Sequence, residues 1–355
     1  MLESQFKGLV RPSKSANSHR EGKGLVVFPG ALGDFLCFLP TLKVIAELKQ
    51  GSHLEVVARS DFADLLSCSS STISVHSLDN HKIGRLFVPS AEVDPELRNG
   101  LSRYDFIYSW FGAHDPDFVG NLTALCDGDC RIFPFRPSDP GIHLMDYYGS
   151  CLGVRYSPQN FPEISLTATE LAWRERYWSE AKLHGQRVLA VAPGSGAKEK
   201  NWGLALFMEV GRWWRDRTGG KVLVILGPAE EGSKAEAMAG EDAVVVRHLG
   251  LGQVVPLLAH CDLYLGNDSG VTHLAAAIGV RTVALFGPTD PVQWRPRGKR
   301  VTVITRGVEC SPCGISTMRS CAHRKCLSRL NPETVIGLLE GMVAEGLLDK
   351  GGLQI

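Results

Sequence analysis

The sequence predicts an α/β protein built from two Rossmann-like parallel-sheet domains facing a central cleft. Three observations carry that expectation. Five short runs of β-branched and aliphatic residues each stop at a glycine-bearing polar loop. Four of the five loops then lead into a segment with helical character, the signature of strand–loop–helix units. A proline-bearing, threonine-rich stretch from Pro158 to Thr169 interrupts the alternation and reads as the connection between domains. Ligands of open parallel sheets collect outside the carboxyl ends of the strands, so the five loops put the unusual residues on one edge.

Taken in order, residues 1–23 form a polar tail carrying Lys7, Arg11, Lys14, Arg20 and Lys23, read as disordered or, alternatively, as a membrane-surface contact. The first domain is expected over 24–165. It opens with a strand at Leu25–Phe28, followed by Pro29-Gly30-Ala31-Leu32-Gly33-Asp34 and a helical apolar stripe from Phe35 to Leu48. Further strands are expected at 54–58, 73–76 and 106–109, with a short helix over 94–101. Residues 131–140, rich in proline and aromatics, read as irregular, and 142–152 as helical. The second domain, 170–330, starts with a helix over 170–183 and then repeats the βαβ pattern, with strands at 188–192, 222–226, 244–247, 263–266 and 282–286. A last helix spans 331–347, with Asn331 at the cap and Pro332 at its first position.

Composition narrows the function classes. With 355 residues, 44% hydrophobic and 21% charged, the chain has room for two ordinary globular cores. Its 38 basic and 38 acidic residues leave no net field to attract nucleic acid, so an anionic ligand needs local donors. No apolar run reaches the roughly 20 residues that cross a bilayer, and the tail lacks the apolar core of a secretory signal. A cytoplasmic location follows as the expectation. Of the ten cysteines, Cys37, Cys68, Cys151 and Cys261 read as small core residues. Cys310, Cys313, Cys321 and Cys326 cluster as Cys-x2-Cys-x7-Cys-x4-Cys. That cluster is open to three readings: a bound metal, a redox-sensitive pair or a reduced structural loop.

Three loops carry the candidate chemistry. Asp34 lies where a buried strand turns into a helix. It is either a helix cap or a general base facing the cleft, with Gly30 to Gly33 letting backbone approach a ligand. Pro193-Gly194-Ser195-Gly196, followed by Lys198, Lys200 and Trp202, is either a phosphate cradle or a solvated loop with surface lysines. Asn267-Asp268-Ser269-Gly270-Val271-Thr272-His273 is the sharpest signal. Asp268 or Ser269 caps a helix whose first amides, at residues 269 to 272, carry partial positive charge suited to a diphosphate. His273 either donates to a phosphate or packs in the core. No loop has the full dinucleotide glycine spacing, which disfavours a nicotinamide dehydrogenase.

From about residue 24 to 345 these segments resemble, in order, glycosyltransferase family 9, the bacterial lipopolysaccharide heptosyltransferases. The resemblance rests on Gly30-Ala31-Leu32-Gly33-Asp34, on Pro193-Gly194 with Lys200-Asn201-Trp202, on Asp268 through Ala277, on Ala284 through Pro291, and on Cys310-Ser311-Pro312-Cys313 with Cys326. It implies a GT-B architecture, with the acceptor held mainly by the first domain, nucleotide-sugar by the second, and the last helix crossing back to the first. It implies inverting transfer, without metal or other cofactor, from ADP-heptose to a lipid-linked core oligosaccharide. Such an acceptor is compatible with peripheral contact at the inner face of the cytoplasmic membrane.

In that scheme Asp34 is the base, and Gly30, Ala31, Leu32 and Gly33 form the acceptor-side loop. Lys200, with Lys198 as its rival, contacts donor phosphates along with Ser195, Asp268, Ser269, Gly270, Val271, Thr272 and His273. Glu230 and Glu231 are candidates for the nucleotide ribose. The chain departs from the pattern at Phe28, where the family often has a basic residue, and in the spacing of the lysine loop. A nucleotide-sugar epimerase and a non-catalytic nucleotide-sugar-binding protein are the alternative readings.

Overall fold

The computed structural model describes residues 22–49, 51–66, 73–79, 82–90, 94–227, 230 and 243–346. Residues 1–21 of the tail, Cys68 and Glu231 therefore lie outside the described residues. The chain divides after Asn160 into two compact units.

The first unit holds a five-stranded, wholly parallel sheet of order β3-β2-β1-β4-β5. Its strands are β1 (Lys23–Val27), β2 (His53–Ala58), β3 (Ile73–Ser77), β4 (Phe106–Ser109) and β5 (Asp129–Ile132). β1 is central, with Val27 in register with Val57 on one side and Ser109 on the other. Leu25, Val26 and Val27 are fully buried, as expected of a strand covered on both faces. β5 corrects the expectation of irregular chain from residue 131. It is a four-residue edge strand bearing Asp129 and Arg131, too short and too charged to register as one.

Helix α1 (Leu32–Leu48) follows β1, beginning three residues before the first residue of the apolar stripe. It buries Phe35, Leu36, Phe38, Leu39, Leu42 and Ile45 and continues through Pro40. Further helices of the unit are α2 (Pro95–Leu101) and α3 (Pro116–Leu125). α4 (Leu144–Ser150) then packs on α1. The end of β1 is fixed by aromatic packing. Phe28 stacks on Phe38 with ring centroids 4.3 Å apart and meets Phe35, Phe135 and Tyr148 edge-on. Such pairs add to the burial of the rings themselves.

The second unit holds a six-stranded parallel sheet of order β11-β10-β9-β6-β7-β8. Its strands are β6 (Val188–Ala192), β7 (Lys221–Ile225), β8 (Ala243–Val246), β9 (Leu263–Asn267), β10 (Thr282–Phe286) and β11 (Val301–Thr305). The longer helices are α5 (Ala168–Glu180), α6 (Leu204–Thr218), α7 (Leu251–Ala259), α8 (Gly270–Ile278) and α9 (Pro332–Ala344). The last helix buries Val335, Leu339 and Met342 in one core with Phe207, Val210 and Trp214 of α6. No helix among the described residues is long and apolar enough to cross a membrane.

Each sheet has a point where successive connections reverse direction, between β1 and β4 in the first and between β6 and β9 in the second. Those reversals leave a crevice at the carboxyl ends of the two neighbouring strands, the usual ligand position in open α/β sheets. The loops after β1, β6 and β9 are the ones the sequence marks as chemical.

Candidate functional site

Asp34 stands at the reversal point of the first sheet. It occupies the third position of α1, and its Oδ2 accepts from the Ala31 amide at 3.2 Å, one half of a capping box. Ala31 offers no side-chain cap in return. Gly30 is obligatory here, because a Cβ would lie 2.7 Å from the Asp34 Cβ and 2.4 Å from the Phe28 ring. Asp34 is buried, with 8% of its surface exposed. A buried carboxylate needs a charge partner, and Arg136 supplies it through a two-pronged pair, Nη1–Oδ1 2.6 Å and Nη2–Oδ2 2.8 Å. Burial opposes the charge of Arg136, but the bonds to Asp34 outweigh it and the guanidinium is held above its ordinary pKa. Arg136 also lies over the Phe135 ring at 4.2 Å.

Sequence reasoning missed Arg136. It lies in the proline-rich stretch after β5 and belongs to no motif. The one available hint was indirect: a basic group absent at Phe28 has to come from elsewhere in the chain if the acidic loop is to be balanced.

The second constellation gathers at the β6/β9 reversal. Asn267, fully buried at the end of β9, ties the loop after β6 to its own. Its Nδ2 donates to the Pro193 carbonyl at 2.6 Å, and its Oδ1 accepts from the Trp202 amide at 3.0 Å. The lysine loop is thereby held against the β9 loop, and Lys200 Nζ reaches Asp268 Oδ2 at 2.9 Å. Thr289, in the loop after β10, donates to the same oxygen at 2.7 Å. Of the two rival lysines, Lys200 is half-buried and turned to this centre. Lys198 is exposed, and its carbonyl accepts from Arg324 at 3.2 Å. Ser195 is engaged inside its own loop, with its hydroxyl 2.6 Å from Asn201 Oδ1 and 2.7 Å from the Ala197 carbonyl.

Ser269, not Asp268, is the cap of α8, its hydroxyl accepting from the Thr272 amide. Thr272 is fully buried, with its hydroxyl 3.0 Å from both Ser269 Oγ and Tyr264 Oη. Gly270 and Val271 are the half-buried first two residues of α8, whose amides have no helical carbonyl to reach. His273 is buried at 7% exposure, on the core side of the helix start. The site thus presents one ammonium and the positive end of a helix dipole around a buried carboxylate. Asp268 uses one of the three N–H donors of Lys200, leaving two for an anion.

Glu230 joins this edge. Its Oε2 accepts from the Gly227 amide at 2.9 Å, and its carboxylate lies so close to Gly194 that a Cβ there would stand 1.9 Å from Oε1. Burial raises its pKa against the opposing effect of the Gly227 amide. The four late cysteines also converge. Cys310, Cys313, Cys321 and Cys326 line one pocket with His323, and the nine described cysteines are free thiols. Burial, then the proximity of Cys310 and Cys321, raises the Cys313 thiol.

Comparison with known proteins bears on the family and the fold. Residues 153–322 match Glycosyltransferase family 9 (heptosyltransferase). A lipooligosaccharide heptosyltransferase 2 of Campylobacter jejuni is 30% identical over 164 residues, covering 43% of this chain and 50% of the relative. The chain spans about half the length of the curated relatives it matches. Among solved structures, a glycosyl transferase family 9 protein of Veillonella parvula superposes with a TM-score of 0.73 at 20% identity. It covers 93% of this chain and 100% of that one. The ADP-heptose lipopolysaccharide heptosyltransferase II of E. coli gives 0.67 at 18% identity, covering 91% and 99%. At such identities the likeness shows the fold, two parallel-sheet α/β units of the GT-B class.

Proposed function

We propose, for a chain that belongs to glycosyltransferase family 9 through residues 153–322, that it transfers a heptose from ADP-heptose to a lipopolysaccharide inner-core oligosaccharide. The transfer inverts the anomeric carbon in a single displacement. Asp34 takes the proton of the acceptor hydroxyl as that oxygen attacks. The bond from sugar to phosphate breaks, and its electrons pass to the leaving diphosphate. Lys200 and the first amides of α8 receive that charge, supplying what a divalent cation supplies in other transferases. The reaction therefore runs without a metal. Glu230 binds hydroxyls of the nucleotide ribose, and Glu231 lies outside the described residues. The donor is cytoplasmic and the acceptor is lipid-linked, so the protein works at the inner face of the cytoplasmic membrane without spanning it.

The observation that carries this reading is the meeting of Lys200, Asp268 and the start of α8 at the reversal point of the second sheet. A cation and a helix N-terminus converge there on one place, as a diphosphate requires. Product analysis after incubation with a panel of nucleotide-sugars and core acceptors tests it. A new glycolipid formed from ADP-heptose, at a rate unaffected by EDTA, is the expected result. Donor consumption without an acceptor product contradicts transfer, and loss of transfer in EDTA contradicts metal independence.

A further inference from the structure

Arg136 has no part in the proposed reaction, yet it holds both oxygens of the residue that matters most. With Nη1 on Oδ1, Nη2 on Oδ2 and the Ala31 amide also on Oδ2, three acceptor sites of Asp34 are occupied. A carboxylate has only about four such sites. A base bound in this way is poor, because accepting a proton would leave a neutral acid against a guanidinium that stays charged. The pair therefore opposes proton removal for as long as it remains closed.

Its geometry also offers a way to open. The Arg136 side chain is 37% exposed while that of Asp34 is only 10% exposed, so the arginine is the partner that solutes reach. It rests on the face of Phe135, an apolar surface over which a planar guanidinium can slide. The fork that fits the Asp34 carboxylate fits any carboxylate or phosphate equally well.

We propose that Arg136 is an acceptor-sensing latch on the general base, opened when a carboxylate or phosphate of the acceptor takes its guanidinium. The inference rests on the reading of Asp34 as that base. With the latch open, the acceptor hydroxyl gives its proton to the freed Asp34 oxygen and its electron pair to the anomeric carbon. The departing diphosphate takes the electrons of the broken bond. With the latch closed, Asp34 does not activate water, so donor is not hydrolysed while acceptor is absent. Arg136 is a positioning residue that acts through Asp34. The other titratable groups facing the pair are Tyr148 from α4 and Cys37 from α1, and burial above all keeps the Tyr148 hydroxyl protonated.

Steady-state kinetics of the full chain with ADP-heptose and lipid-linked core acceptor test the latch, using Arg136→Gln, Arg136→Lys and Asp34→Asn. Arg136→Gln is expected to raise the acceptor KM by about tenfold or more, the loss of one charge-assisted pair. It should also increase acceptor-free donor hydrolysis several-fold. A purely structural arginine would lower activity without raising hydrolysis. Arg136→Lys, which keeps the charge but not the fork, should recover part of the acceptor KM.

The latch is overturned if wild type transfers, Asp34→Asn does not, and Arg136→Gln leaves the acceptor KM and the acceptor-free hydrolysis in place. If Arg136→Gln fails to fold, an acceptor KM unchanged in Arg136→Lys overturns it instead. Wild-type turnover by Asp34→Asn is a different failure: it removes the base reading, and the latch falls with it.

Discussion

Lys200 and Lys198 are two residues apart, yet only Lys200 touches Asp268, and that contact separates their expected roles. Lys200→Ala should weaken donor binding and lower kcat, each by about tenfold or more, because a point charge beside the leaving diphosphate is lost. Lys198→Ala should change neither by more than about twofold, as expected for an exposed lysine away from the buried centre. Calorimetric ADP titration and steady-state rates compare the two directly. Glu230 admits a similar test through its neighbour. In Gly194→Ala the new methyl group would collide with the Glu230 carboxylate, the mobile end of a side chain, so the carboxylate moves and its bond to Gly227 breaks. Nucleotide affinity should fall by about tenfold, as should that of Glu230→Ala, with little change in melting temperature. At this scale the sequence exposes residues fixed by local rules: Asp34 at a strand-to-helix turn, Lys200 beside a glycine loop, Ser269 at a cap. Arg136 stays hidden because its role depends on a contact across 102 residues of chain, which no spacing encodes.

Helix α8 delivers its amides to the site only while its first turn is held, and Ser269 holds it. Ser269→Ala should cost about 1 kcal/mol of stability and weaken ADP binding in the same variant. Urea unfolding and calorimetry read the two effects. Helix α9 contributes differently, through packing. Leu339 is fully buried against the α6 face of the second unit, so Leu339→Ala should cost about 2–5 kcal/mol while leaving the kinetics of the folded fraction unchanged. Elements flanked by glycine loops were legible in the sequence because their ends are punctuated. β11, Val301–Thr305, is β-branched throughout but half-exposed, and the Arg306-Gly307 turn after it leads into a cysteine-bearing stretch, with the next helix starting only at Ile315. A reading keyed to strand–loop–helix units passes over it. α3 was also missed, although Asp115 as cap and Pro116 at the first position announce it.

For the whole molecule, two half-buried carboxylates of the first unit set an acid limit on stability. Burial alone would raise Glu55 and Asp129. Lys23 and Tyr104 at Glu55, and Arg131, Tyr108 and Lys49 at Asp129, overcome it and hold both below their ordinary values of 4.5 and 3.8. Groups with depressed native values add stability that is complete above the unfolded values and is lost as pH falls through the native ones. The first unit should therefore lose stability below about pH 4. Glu55→Gln should flatten that loss when followed by Trp110, the only tryptophan before residue 161. The central claim concerns chemistry, and mass spectrometry of the products of wild type and Asp34→Asn, given ADP-heptose and a core acceptor, tests it most directly. The account predicts one heptosyl unit added by wild type and a rate at least about 100-fold lower for Asp34→Asn with ADP affinity intact. Equal rates from the two proteins, or donor loss with no glycosylated acceptor, would contradict it.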